Sequence, residues 1–111
     1  MKKNKLLTLG SVVYLEGGTI PVMIVLRHPI FNIKEKMCYF DYAAVNQLTG
    51  LEPDKITYFN HEDISEVVFE GYVSENEKRI QKGLAEWIKE HPEIPKGDVD
   101  QINLVLYDDQ S

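Results

Sequence analysis

Residues 64–91 read ISEVVFEGYVSENEKRIQKGLAEWIKEH, and a change of hydrophobic period inside this stretch decides the fold class. Ile64 to Tyr72 reads as a strand, with Val67, Val68 and Phe69 at its centre, because β-branched and aromatic residues dominate it. From Ser74 to His91 the pattern becomes helical. Ile80, Leu84, Trp87 and Ile88 fall at i, i+4, i+7 and i+8, which is one face. Ser74 followed by Glu77 has capping-box spacing, and Glu75 and Glu77 complement the positive end of the helix dipole. Lys89 and His91 suit the other end, where Pro92 stops the helix. Gly83 costs about 1 kcal/mol against alanine. A helix of about 17 residues with that defect barely holds in isolation, so its apolar face is expected to dock on a sheet or on something else.

Upstream, the chain is all strand signals. Leu7 to Leu15 is expected to be a strand, with Leu7, Leu9, Val13 and Leu15 in alternation and Gly10 marking a bulge or a close backbone approach. Gly17-Gly18 is a turn. Ile20 to Leu26 is nearly all apolar, as a central strand would be, with Pro21 expected at its start or on an edge. His28-Pro29 breaks the pattern, and Ile30 to Lys36 reads as a loop. Met37 to Val45 is the third strand, Asn46 to Asp54 a loop, Lys55 to Asn60 a short strand, and His61-Glu62-Asp63 a polar turn. Strands first and a helix last imply an α+β fold: a small antiparallel sheet or half-open barrel of about five strands with one C-terminal helix. Residues 1–91 form one domain on this reading. Residues 92–111 are a linker followed by an extra strand at Ile102 to Tyr107 or a flexible tail.

Composition excludes much. The 111 residues suffice for one domain, and 43% hydrophobic with 27% charged residues excludes a wholly disordered chain. The single cysteine, Cys38, excludes an internal disulfide and a cysteine-built zinc site. A net charge of −6 argues against nucleic-acid binding, which needs clustered Lys and Arg. No stretch reaches the roughly 20 apolar residues of a membrane span. The start, Met1-Lys2-Lys3-Asn4-Lys5, imitates a signal peptide, but the alternation after it does not fit one, and a cytoplasmic protein is expected.

Candidate chemistry is sparse. His28, His61 and His91 lack metal-ligand spacing, so no metal site and no cofactor is expected. His61-Glu62-Asp63 is the best local polar cluster, and a small enzyme using His61 is the remote reading it leaves. Cys38, in an aromatic strand, reads as a buried structural thiol. Charge is more informative. Nine acids and one base, Lys55, lie between Met37 and Glu77, consistent with solubility or with a surface steered toward a basic partner. Aromatics crowd the same half, and alternation cannot place both members of Tyr39-Phe40 or of Tyr58-Phe59 on one face. Some are therefore exposed, or covered by the helix or by a partner, and Tyr is a favoured interface residue. Tyr42, Tyr58, His61, Glu62, Asp63, Tyr72 and Trp87 are the candidate partner-binding residues.

Several segments together resemble a small Gram-positive domain-of-unknown-function family, number 4176. Leu7 to Gly18 followed by Val22-Met23-Ile24 is similar to its opening "LPLGSVVYLKGG…LMI". Tyr39 to Val45 is similar to its "YFDYxAV" strand. Phe59 to Ile64 and Glu66 to Tyr72 are similar to its "FNHEDI…EVVFEGY" segment. The resemblance runs from about Leu6 to about Ile88. His28-Pro29 departs from the "IxGR"-like residues expected there, which leaves the path of the following loop open.

The resemblance implies a gene neighbour, an LXG toxin of the type VII secretion system, and a role as its cytosolic chaperone or targeting factor. It brings no catalytic residues. Gly10, Tyr42, His61, Asp63 and Gly71, which match the family's motifs, are implied to be structural or to form a binding surface. The expected partner is a protein, the cognate toxin or its complex. An immunity protein against the toxin's C-terminal domain is the alternative, and self-association through Ile102 to Tyr107 is open.

Overall fold

The structure is a computed structural model and describes residues 6–33 and 35–98. Seven strands and one helix follow in order: β1 (Val12–Leu15), β2 (Val22–Arg27), β3 (Ile30–Ile33), β4 (Lys36–Tyr39), β5 (Tyr42–Asn46), β6 (Thr57–Phe59), β7 (Ile64–Phe69) and α1 (Glu77–Glu90). Five strands form one antiparallel sheet in the order β6-β5-β2-β1-β7, and β3 pairs with β4 in a separate hairpin. The fold is α+β, a five-stranded sheet with a small second sheet and one C-terminal helix.

Alternation places Val13, Ile24, Tyr42, Ala44 and Phe59 on one face of the sheet, where Leu7 joins them in the buried core. Leu6, Leu15, Val22 and Ile64 pack around this cluster. On the opposite face, Tyr58 meets Phe31 edge-on with ring centroids 4.5 Å apart, and Phe31 meets Phe40 at 5.9 Å. The β3–β4 hairpin thus covers the second face beside β5, and Tyr42 to Val45 are buried throughout.

Several expectations need correction, each for a local reason. The first strand is shorter than expected. Gly10 has φ +87°, which breaks the alternation, so Leu7 is buried while Leu9 is exposed. Gly10 does supply the expected close approach, since the next crossing backbone belongs to Gly71. The expected loop from Ile30 to Lys36 is instead a hairpin, β3 with β4. His28 takes φ 62° and turns the chain out of the main sheet before Pro29. The single strand expected from Met37 to Val45 is accordingly two, divided at Phe40-Asp41. β2 is central in the sheet as expected, yet Val25 and Leu26 are exposed. β7 ends at Phe69, short of the expected Tyr72, and its apolar centre is solvent-facing.

The helix also differs. Ser74 does not cap α1. Asn76 occupies the cap position, and the Ser74 hydroxyl accepts the Asn76 N–H instead. Glu77 is drawn away into an ion pair with Arg27 at the end of β2, with N–O distances of 2.7 and 3.2 Å. The apolar face of α1 is only partly covered: Leu84 and Trp87 are half-buried, while Ile80 is 43% and Ile88 37% exposed. The helix is therefore held more by polar contacts than by burial. Gln81 both accepts from the Leu6 N–H and donates to the Leu6 carbonyl. Beyond the helix, Pro95 to Gly97 runs alongside Tyr39, exchanging two backbone hydrogen bonds with it. The expected strand Ile102 to Tyr107 lies outside the described residues.

Two glycines on this frame should respond oppositely to alanine. A Cβ on Gly71 would collide with the Leu9 carbonyl oxygen and stand 2.9 Å from the Ser11 nitrogen. Gly71→Ala should cost about 1–3 kcal/mol, the range for overpacking. A Cβ on Gly83 meets nothing within 4 Å, so Gly83→Ala should stabilise by about 1 kcal/mol. Urea denaturation measures both. Arg27→Met should cost about 3 kcal/mol, because the nearly buried Glu77 charge would lose its bidentate guanidinium and keep only weaker contacts such as the Gln81 amide. Trp87, the chain's single tryptophan, would then shift its emission to the red at a denaturant concentration where the circular dichroism of the sheet is unchanged.

Candidate functional site

Between α1 and the end of the sheet lies a groove of about 430 Å³. Gln81, Leu84, Ala85 and Ile88 of α1 line it together with Leu6 and Tyr39. Its polar side is built by Asp41, His61, Glu62 and Lys96. These four belong to one hydrogen-bonded knot. The β4–β5 junction supplies Asp41. A single 3-10 turn, His61–Asp63, supplies its neighbours.

That turn is set by Asn60. Its N–H donates to the Asp63 carboxylate at 2.8 Å, and the Asp63 N–H returns to Asn60, closing a capping box. The Asn60 side chain reaches two other segments. Its carbonyl oxygen accepts the Asp41 N–H at 3.1 Å, and its amide donates to the Gly97 carbonyl at 2.8 Å. Buried Asp41 accepts the His61 N–H at 2.9 Å and the Lys96 ammonium at 3.1 Å. Lys96 also faces Glu62 at 3.4 Å. Burial by itself lowers the Lys96 pKa, but Asp41 and Glu62 outweigh it, and the net shift is upward.

Tyr42 links this knot to the core. Its oxygen accepts the Leu7 N–H at 2.8 Å and stands 2.8 Å from His61 Nδ1. Full use of both groups has the Tyr42 hydroxyl donating to Nδ1, which assigns the imidazole proton to Nε2. Burial, first of all, pushes the Tyr42 pKa well above its ordinary value of 10.0.

The structure thus brings Tyr42, His61 and Glu62 together, with Asp63 one hydrogen bond away through Asn60. The other candidates lie elsewhere. Tyr58 sits in the Phe31–Phe40 cluster. Trp87 packs edge-on against His28 at 4.6 Å and stacks on His91 at 4.2 Å. Tyr72 is exposed on the segment after β7. Cys38 is half-buried rather than buried, and burial raises its pKa.

Three contributors were not singled out from the sequence: Asp41, Asn60 and Lys96. Asp41 did leave a signal, an acid inside an otherwise aromatic run. His28 also faces Tyr39 at 4.6 Å, and neither of its ring nitrogens has a hydrogen-bond partner among the described residues. Burial holds its pKa below the ordinary 6.5, the Asp41 charge opposing.

The family profile of a domain of unknown function, DUF4176, matches residues 6–80. The chain belongs to the DUF4176 family. The matched region spans β1 to β7 and the first turn of α1, so it contains Asp41, Tyr42, Asn60, His61 and Asp63 but not Lys96. Comparison with curated proteins gives no match, and comparison with solved structures gives none.

As chemistry, the knot ties chain segments to one another. The Asp41, Asn60 and Tyr42 side chains spend their polar atoms on backbone groups, on His61 and on Lys96. The Leu7 N–H is buried, so Tyr42→Phe should cost about 1–3 kcal/mol at neutral pH by leaving that donor unmet. The alkaline behaviour follows from the upward shifts. A group whose pKa is raised by folding contributes stability below its unfolded value and loses it as pH climbs through the folded value. Tyr39, Tyr42 and Lys96 are all raised, from 10.0, 10.0 and 10.5. Stability should therefore fall above about pH 10, and Tyr42→Phe should lose less over that window than the parent protein. Urea midpoints on both sides of it measure the difference.

Proposed function

We propose that this DUF4176 protein is a non-catalytic binding protein, a cytosolic chaperone or targeting factor for a cognate LXG toxin. The observation that carries a binding role is the apolar character of β7. Val67, Val68 and Phe69 are consecutive and exposed, and Tyr72 and Val73 extend the strip. A soluble domain gains nothing for its own core from such a run, and contiguous exposed apolar surface marks interaction sites. The toxin as partner rests on the family resemblance. A non-catalytic role is supported by the knot, whose His61 and Asp41 are engaged in holding turns and strands. No helix among the described residues is long and apolar enough to cross a membrane.

A second reading has one observation in its favour. The net charge of −6 suits an inhibitor of a basic toxic domain. Co-expression of the chain with the toxin encoded beside it, split into N-terminal and C-terminal halves, separates the two. Co-purification with the N-terminal LXG half is the expected result. Retention by the C-terminal half alone would make the protein an inhibitor, and retention by neither would remove the toxin as partner. His61→Ala should leave retention within about twofold, an effect below 0.5 kcal/mol; abolition of cellular function with retention intact would revive the enzymatic reading.

A further inference from the structure

We infer that the corner made by β7 and Leu9 docks an extended segment of a partner protein in which apolar residues alternate with Lys or Arg. The inference rests on the binding reading and adds where the partner sits and what chemistry it carries.

β7 closes one side of the sheet. It hydrogen-bonds to β1 along one edge, and no described strand lies along the other. An uncovered edge is a template for pairing, and native sheets usually guard it with charge, bulges or shortness. Here the guard is partial. Ser65 and Val68 are extra residues in the pairing with β1, so the register shifts twice, and a regular ladder on the outer edge is limited to a few residues. Affinity on this edge therefore comes mainly from side chains.

Those side chains form short apolar runs bounded by acids. Val67, Val68 and Phe69 are 45%, 52% and 59% exposed, Tyr72 83% and Val73 55%. Leu9, 50% exposed, adjoins them because its carbonyl abuts Gly71. Glu66, Glu70 and Glu75 are interleaved with this strip, and no ion pair joins any of them to a described residue. Apolar cover alone would be supplied by a second copy of the chain. Edge-to-edge pairing of two copies, however, gathers six glutamates in one interface between molecules that each carry −6, and like charges across paired strands are destabilising. Lys or Arg between the apolar residues of an incoming strand reverses that sign. The occupant is a basic, apolar strand, and backbone pairing with side-chain contact is the mode by which such segments join sheet edges.

The test uses the full chain and two synthetic dodecapeptides, one alternating Lys with Val and the other Glu with Val. The Lys-Val peptide should shift amide resonances between Val67 and Val73, weaken with added salt, and bind about tenfold less well to Tyr72→Ser, the loss typical of an interface aromatic. Tyr72 is largely in solvent, so that variant should keep the parent's thermal midpoint. The Glu66→Lys/Glu70→Lys variant should exchange its preference toward the Glu-Val peptide. Equal binding of the two peptides, binding of neither, or shifts confined to the groove beside α1 would overturn the inference. So would a concentration-dependent dimer that Tyr72→Ser dissolves, since it would assign the edge to a second copy. Failure of the toxin reading is separable. If no toxin half co-purifies but the Lys-Val peptide binds at β7, the surface stands without that partner. If the toxin's N-terminal half binds the parent and both variants alike, the partner stands and the surface does not.

Discussion

A guanidinium and a carboxylate, Arg27 and Glu77, hold the helix to the sheet. The pair is bidentate and nearly buried, and it sits where β2 ends and α1 begins, so one contact sets both the position and the entry of the helix. Gln81, paired with both backbone groups of Leu6, is a second polar tie one turn along α1. The apolar face of the helix is half open, and Gly83 weakens it from within. A buried ion pair is an expensive way to join two elements, because both ions lose water. It has a geometric benefit that an apolar contact lacks, since a fork-to-fork pair accepts one orientation.

The second fixed point is Asp41 with Asn60. Neither is apolar, yet each is buried. The Asn60 side chain accepts the Asp41 N–H at the β4–β5 junction and donates to Gly97 in the strap after α1, and the Asp41 carboxylate accepts from the turn at His61. A chain this small has little volume for a core. Binding three turns through two side chains fixes the loops without adding apolar bulk. The strap is fitted as closely as it is bonded, since a Cβ on Gly97 would stand 2.6 Å from the Phe40 ring.

The sheet is legible in the sequence wherever the chain runs straight. Val22 to Arg27, Thr57 to Phe59 and Ile64 to Phe69 fall within or overlap the segments expected from hydrophobic pattern. Failures cluster where the backbone takes a positive φ. Gly10 shortens β1, and His28 converts an expected loop into the β3–β4 hairpin. A histidine in the left-handed region carries no compositional warning. The helix is legible in place but not in burial, because periodicity shows which residues share a face and not how much of that face is covered. Of the candidate site, His61 with Glu62 and Asp63 is legible as a cluster in sequence. Its link to Tyr42 and Asp41 is not, since it spans 19 and 20 residues and depends on how β5 and β6 pair.

Burial across the sheet runs steeply from one side to the other. At β5, Tyr42 to Val45 are all buried, and α1, the N-terminal segment and the hairpin converge on that side. At β7, five of six residues are exposed, although the strand carries as much β-branched and aromatic character as β5. Stability of the isolated domain does not account for this. Polar residues at Val67, Val68 and Phe69 would satisfy an edge strand equally well and would guard it better against aggregation. Glu66 and Glu70, which flank them, limit that hazard by repulsion between copies. They do so without removing the apolar surface, which remains available to a partner of opposite charge. An edge that repels itself and retains its hydrophobic residues is suited to pairing with another chain, and the rest of the fold, closed around β5, leaves that edge in place.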